Sequence, residues 1–325
     1  MGNQLISICI PVLNEFANLP ELIERLNAVA SQESSRYEFE FIFTDNQSDD
    51  GTWEFINQLS IKQKNIRAIR FTKNIGHQKS ILTNFSFATG DAVIQIDADL
   101  QDPPELIIEF LKRWEKGFKV VSGARFDRSE NWFKKRYRQF GYALLDRLSD
   151  HPITRNVGDF RLLDRRVINE LMKLKTTEPF LRGMISKLGF PESLVQYTRP
   201  DRKLGKSKFN LRELTKLGIG GIFGNSTVVL RISIWIGMAW LVMAALGAIF
   251  YIVLKLLGAQ LPQGLVSTLV IIFIGFGINS FMLGVLGIYI TRIISLIGNE
   301  PIAVISETLN LDHKKYLKRS NLKNE

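Results

Sequence analysis

Apolar runs closed by polar turns alternate with stretches of helical spacing through most of the chain. Leu5 to Val12 is almost wholly apolar and ends around Pro11 and Asn14, which reads as a strand. Leu19, Leu22, Ile23, Leu26 and Val29 then recur at the spacing of one helix face and predict a helix over Leu19 to Ala30. Phe39, Phe41 and Phe43 alternate toward Asp45 as in a strand. Trp53, Phe55, Ile56 and Leu59 suit another helix, and Ile66, Ala68, Ile69 and Phe71 mark a third strand. Ser80 to Ala88 is again helical, Ala92 to Ile96 is a fourth strand and Lys119 to Ser122 a later one. The succession predicts an α/β fold with an open, mostly parallel sheet covered by helices. Ligands of such sheets bind at the carboxyl ends of the strands, so Asn14, Asp45, Asn74 and Asp97 are expected to converge on one edge.

The pattern then changes. Ile232 to Leu254 contains no charged residue, and neither does the stretch from Leu256 to Thr291. A helix rising about 1.5 Å per residue crosses the bilayer core in about 20 apolar residues, so each run is long enough to span. The turn-forming segment from Gly258 to Gly264 separates them, which predicts spans over 231–255 and 266–291 joined as a hairpin. Neither run has a polar face to offer water, which weighs against a buried hairpin of a soluble protein. Small residues at Gly277, Ser280, Gly284 and Gly287 permit close helix packing, either within the hairpin or between subunits of a homo-oligomer, a dimer or tetramer.

Charge bears on orientation. The 325 residues carry 42 basic and 32 acidic side chains, a net +10, and 46% are hydrophobic, which excludes a disordered chain. Such an excess serves nucleic acid or an anionic lipid surface equally well, and its placement favours the lipid. Arg202, Lys203, Lys206, Lys208, Arg212, Lys216 and Arg231 precede the first apolar run, and Arg292, Lys314, Lys315, Lys318 and Arg319 follow the second. Both termini are therefore expected to be cytoplasmic, in a multi-pass membrane protein that binds no nucleic acid. Met1 to Gln4 has no basic residue, so no signal peptide is expected. The single Cys9 excludes a disulfide framework and a cysteine-based zinc site. This divides the chain into a body over 1–208, an amphipathic juxtamembrane segment over 209–230, the hairpin over 231–291 and a basic tail over 292–325. Asn131 to Leu148, aromatic and basic, resembles the juxtamembrane segment in character.

Candidate chemistry centres on Asp97-Ala98-Asp99, which directly follows the fourth strand and continues to Gln101, Asp102 and Glu105. Two carboxylates at i and i+2 can face one crevice where an extended chain breaks into a turn. Hard oxygen donors with open positions suit Mg²⁺ or Mn²⁺ shared with substrate phosphates. An Asp-x-Asp alone is also what a solvated turn contains. Here it stands in order with Ile10-Pro11-Val12-Leu13-Asn14-Glu15, Thr44-Asp45-Asn46-Gln47-Ser48-Asp49-Asp50-Gly51, Asn74-Ile75-Gly76-His77, and Ala88-Thr89-Gly90-Asp91. Together these resemble the family 2 glycosyltransferases of the GT-A fold, a Rossmann-like sheet flanked by helices. Gly123-Ala124-Arg125, Gly158-Asp159-Phe160-Arg161-Leu162, Phe180-Leu181-Arg182-Gly183 and the loop from Arg202 to Lys208 narrow the resemblance to bacterial polyprenyl-phosphate glycosyltransferases, relatives of dolichol-phosphate mannose synthase.

That resemblance implies roles. Asp97, Asp99 and Gln101 would hold the metal on the donor diphosphate; Pro11, Glu15, Asp45 and Asp97 would shape the nucleotide pocket. Where the family often has Asp-Asp-Gly-Ser, this chain has Asp45-Asn46-Gln47-Ser48, which leaves the nucleotide open. Pro11 reads equally well as a strand terminator and Glu15 as a helix-capping carboxylate. Arg125, Arg138, Lys206 and Lys208 would bind the acceptor phosphate, and Asp159 would be the base or the group that orients the acceptor. His77 reads as a loop contact. The implied reaction is inverting transfer of one sugar, glucose from a UDP donor in first place, to undecaprenyl phosphate at the cytoplasmic face of the bacterial inner membrane. GDP-mannose or an aminoarabinose donor, a diacylglycerol or polysaccharide acceptor, and a silent membrane scaffold are the alternatives.

Overall fold

The computed structural model describes residues 3–125, 157–174, 176, 179–198, 264–297 and 302–311, together with scattered positions between 242 and 257. Among the described residues fifteen elements follow in order: β1 (Gln4–Val12), α1 (Leu19–Gln32), β2 (Tyr37–Asp45), α2 (Thr52–Lys62), β3 (Ile66–Phe71), α3 (His77–Phe87), β4 (Ala92–Gln95) and α4 (Leu106–Glu115). After these come β5 (Val120–Arg125), β6 (Val157–Asp164), α5 (Arg165–Leu171), α6 (Leu181–Lys187), β7 (Glu192–Tyr197), α7 (Leu265–Ile297) and β8 (Ile305–Leu309). The eight strands form one sheet in the order β7-β5-β6-β4-β1-β2-β3-β8.

Strand periodicity divides the core between two faces. Ile6, Ile8, Ile10 and Val12 of β1, with Phe39, Phe41 and Phe43 of β2, pack against Leu22 and Leu26 of α1, Ile56 of α2 and Phe110 of α4. Cys9, Ile42, Ile69 and Val93 belong to the opposite cluster, with Ile81 and Phe85 of α3 and Ile168 of α5. A strand covered on both sides needs apolar residues at every position, which is why β1 reads as a run without alternation. Ile8, fully buried, would cost roughly 2–5 kcal/mol if cut to alanine.

The parallel expectation holds for β1, β2, β3 and β4, whose mutual pairings are all parallel. Beyond them β5 and β7 also pair in parallel, but β6 runs antiparallel to both β4 and β5, and β8 antiparallel to β3, so the sheet is mixed. Pro11 does not terminate β1, which continues through it to Val12 while Pro11 pairs with Thr44. A part of the expected tail is a sheet strand, because β8 begins eight residues after α7 ends and closes the free edge of β3.

The 33-residue α7 contains the second expected span, and Ile271, Phe276, Leu283 and Ile290 on it are exposed. Counting only residues whose side chains are described, no helix is long and apolar enough to cross a membrane. Most of the first expected span, the juxtamembrane segment 209–230 and Asn131 to Leu148 lie outside the described residues.

Candidate active site

The register explains how distant carboxylates meet. Gln95 of β4 pairs with Arg161 of β6 in antiparallel sense, so two residues further on Asp97 stands opposite Asp159. β5 runs antiparallel to β6 with Ala124 facing Val157, which brings Arg125 to the same edge. His77, the first residue of α3, closes the gap: its Nε2 lies 3.5 Å from Asp97 Oδ1 and 3.8 Å from Asp159 Oδ2.

Asp159 is buried and held from two sides. Arg182 Nε donates to Oδ1 at 3.1 Å and Gln78 Nε2 donates to Oδ2 at 3.1 Å, while Gln78 Oε1 accepts from the Leu181 backbone N–H at 3.0 Å. Burial alone would raise its pKa; the charges of Arg182, His77 and Arg161 outweigh that and hold the carboxyl well below the usual range. Arg161, buried beside it, donates to the Gly158 carbonyl at 2.7 Å.

Asp97 receives a hydrogen bond from Gln95 Nε2 at 2.8 Å, and Asp99 Oδ1 accepts from the Gln101 backbone N–H at 3.2 Å. Between Asp99 and Gln101 the chain turns through Leu100 at φ 60°, an unusual conformation for leucine that keeps the Asp-Ala-Asp-Leu-Gln segment bent at the strand end. The donor set fits a hard divalent cation. Two carboxylates and the Gln101 amide follow one another along this turn as oxygen donors, and among the described residues no group of three His, Cys, Asp or Glu side chains is placed to hold a metal by itself. A cation bound there would take its remaining ligands from phosphate and water.

Arg125 ends β5 at this edge, with its Nη2 3.7 Å from Asp102 Oδ1 and its Nε donating to the Tyr197 hydroxyl at 3.3 Å. Tyr197 OH in turn donates to Asp102 Oδ1, so a fully buried carboxylate anchors both groups. Burial opposes its charge, but Asp102 and Tyr197 raise the Arg125 pKa above its ordinary value. Gly158 makes the space: a Cβ there would lie 2.7 Å from Arg125 Nη2.

On the other side of β1, Asp45 ends β2 in full burial. Its oxygens accept from the Ser48 backbone N–H at 3.1 Å and from the Ser48 hydroxyl, and Arg70 Nε stands 3.3 Å away. Burial pushes the Asp45 carboxyl up, and Ser48 and Arg70 bring it back only in part. Arg70 Nη2 also donates to the Ser48 carbonyl at 3.0 Å. Arg70 lines a cavity of about 470 Å³ together with Gln47, Ser48, Asp49, Gly51 and Glu54. Gly51, at φ 90°, takes the left-handed turn into α2 that a side chain would strain.

Of the residues singled out from the sequence, Asp97, Asp99, Gln101, Asp159 and Arg125 gather at the β4, β5 and β6 ends, and Asp45 sits at the β2 end. Asn14 tightens that second corner, its backbone N–H donating to Ser48 Oγ at 2.9 Å. Asn74 instead holds its own loop, accepting from the Gly76 N–H at 2.9 Å. Glu15 accepts from Asn18 Nδ2 at 2.6 Å, which ties its carboxylate to the N-cap residue of α1. Arg138, Lys206 and Lys208 lie outside the described residues. The sequence pattern points to no role for Gln78, Arg182, Asp102 or Arg70, and only to a loop contact for His77. The motifs containing Arg182 and His77 are visible in the sequence, but their convergence on Asp159 depends on strand register.

Comparison with known proteins places these residues in a family. The model for "Glycosyl transferase family 2" matches residues 7–172. The chain is 35% identical to the uncharacterized glycosyltransferase YkcC of Bacillus subtilis (strain 168), over 95% of each chain. It is 34% identical to the SfII prophage-derived bactoprenol glucosyl transferase of Shigella flexneri, covering 93% of this chain and 98% of that one. Among solved structures, the mannosyltransferase PcManGT from Pyrobaculum calidifontis, in complex with GDP-Man and Mn2+, gives a TM-score of 0.44 at 15% identity, over 62% of this chain and 59% of that one.

Proposed function

The chain belongs to glycosyl transferase family 2 and is a glycosyltransferase, and we propose that it transfers one glucose from a UDP-sugar to a polyprenyl phosphate. The acceptor and the sugar are supported by near full-length similarity to a bactoprenol glucosyl transferase. The observation that carries the reading is the meeting of Asp97 and Asp159 around His77, with Arg125 on the same edge.

In this reading a phosphate oxygen of the lipid attacks the anomeric carbon as the bond to the nucleotide diphosphate breaks and its electron pair leaves with that diphosphate. Single displacement inverts the centre, so an α-linked donor gives a β-linked product. A phosphate monoester is mostly dianionic at neutral pH and needs little help from a base. Asp159, held far below the usual carboxylate range, is a weak base, and its role is to orient the acceptor and the surrounding cations. Arg125 supplies charge for the incoming phosphate, together with Arg138, Lys206 and Lys208. Asp97, Asp99 and Gln101 would hold Mg²⁺ or Mn²⁺, which supplies Lewis-acid neutralisation of the departing diphosphate. Positioning and fixed charge contribute the rest.

The uncharged sequence from Leu256 to Thr291, much of it within the 33-residue α7, supports a membrane span, and the basic residues around the two apolar runs support a body at the cytoplasmic face of the inner membrane. The test is to incubate purified full-length protein with UDP- and GDP-sugars, undecaprenyl phosphate and Mg²⁺ or Mn²⁺, then extract the lipid. A lipid-linked sugar from UDP-glucose is expected. No lipid-linked sugar from any donor, with no donor hydrolysis, would overturn the reading, and a retained anomeric configuration would overturn the single displacement.

A further inference from the structure

The strand after the long apolar helix reaches the corner of the sheet where Asp45 lies. Asp45 of β2 pairs with Arg70 of β3, and Arg70 pairs with Glu307 of β8, so an acidic, a basic and an acidic residue stand in a row across adjacent strands. The side chains follow the backbone. Arg70 Nε stands 3.3 Å from Asp45 Oδ2 and its Nη1 3.5 Å from Glu307 Oε1, while its Nη2 holds the Ser48 carbonyl. Its guanidinium carbon sits 5.6 Å from the centre of the Trp53 ring, and Trp53 Nε1 donates to Glu307 Oε2 at 3.2 Å. Ser306 Oγ donates to the Arg70 carbonyl at 3.1 Å, fixing the strand that carries the glutamate. Glu307 therefore uses one oxygen to hold Arg70 and the other to hold the aromatic ring beside it.

We propose that Glu307 is a positioning residue for the donor nucleotide: it fixes Arg70 so that Arg70 can set Asp45 and the loop from Asn46 to Gly51 in the geometry that receives the nucleoside. This rests on the reading of Asp45 as a nucleotide-pocket residue. An arginine with five donors in a rigid fork can hold three partners only if each is in place, and removing one frees the fork to rotate. Because β8 follows eight residues after α7, the device also links the end of that helix to the donor pocket. A further cavity is lined by Arg161, Arg182 and Glu192, and Arg182 on its wall is the residue that donates to Asp159 in the site already described.

The test uses the full chain in detergent with Mg²⁺, and measures calorimetric binding of UDP and of GDP beside steady-state kinetics. Glu307→Ala is expected to weaken nucleotide binding and raise the donor KM roughly three- to ten-fold, with turnover at saturating donor kept within about two-fold. Glu307→Gln keeps an acceptor for Trp53 and is expected to lose less. Glu170→Gln, in an exposed ion pair with Lys173, is the control and should change neither quantity. Melting curves of both Glu307 variants report whether β8 stays docked, and the Gln variant decides the matter if the Ala variant unfolds. Unchanged nucleotide affinity in folded variants, or an equal fall in kcat and kcat/KM without a change in affinity, overturns the proposal. If the wild type binds neither nucleotide, the donor-pocket reading falls and the proposal with it; if the wild type binds and the variants match it, the positioning role alone falls.

Discussion

Asp45 and Asp159 stand at two corners of one sheet edge, both buried and both beside arginine, yet their carboxyls are driven in opposite directions. At the Asp45 corner one partly exposed guanidinium stands 3.3 Å away, and burial prevails. At the Asp159 corner Arg182, His77 and Arg161 converge, and burial is overcome. Burial therefore does not settle what a carboxylate becomes; the number of cations that the register delivers to it does. One corner is built to accept a hydrogen bond at modest electrostatic cost, and the other to keep a fixed negative charge, which the proposed function sets beside the acceptor phosphate.

The largest expected effect extends the second corner to the end of β4. Asp99→Ala should lower metal-dependent turnover at least about a hundred-fold while leaving the protein folded, and unchanged activity would remove Asp99 from the metal shell. Next is stability. Asp159→Asn leaves the buried Arg161 and the partly exposed Arg182 without their anion and should cost about 3 kcal/mol in denaturant unfolding. Asp45→Asn, which removes a charge that burial already opposes, should stay within about 1 kcal/mol of the wild type. Equal losses would erase the contrast between the corners.

The smallest effect lies in the pH dependence. The folded pKa of Asp159 is depressed, so its stabilisation is complete above the unfolded value of about 3.9 and is lost as pH falls from there through the folded value. That of Asp45 is raised, so its contribution is complete below about 3.9 and is lost as pH rises through the folded value. In thermal melts carried from neutral pH to pH 3, the gap between wild type and Asp159→Asn should narrow by about 1 kcal/mol. Over the same range the wild type should gain on Asp45→Asn.

Much of the first corner is legible in the order of residues alone. Strands β1 to β4 announce themselves as apolar runs or as alternating apolar positions, and Asp45 and Asp97 lie at or just past the ends of two of them. The second corner is legible in its parts only. Asp159, Arg182 and His77 stand in recognisable motifs, but their meeting depends on β6 running antiparallel to β4, which no periodicity encodes. Strand β8 escapes notice for a plainer reason. Ile-Ser-Glu-Thr-Leu is a short edge strand with partly exposed residues and little apolar burial to mark it. Arg70 has the look of a solvated charge on β3, because its three partners come from β2, the loop after it and the far end of the chain.

Side-by-side measurement of donor affinity and single-turnover rate, with labelled UDP-glucose and undecaprenyl phosphate, tests the division of labour most directly. Asp45→Asn is expected to weaken donor binding about ten-fold or more while a saturated enzyme still transfers sugar at close to the wild-type rate. Asp159→Asn is expected to bind donor normally and to lose about a hundred-fold or more in the transfer step. Equal losses of binding and rate in both variants, or the reverse assignment, would contradict the account.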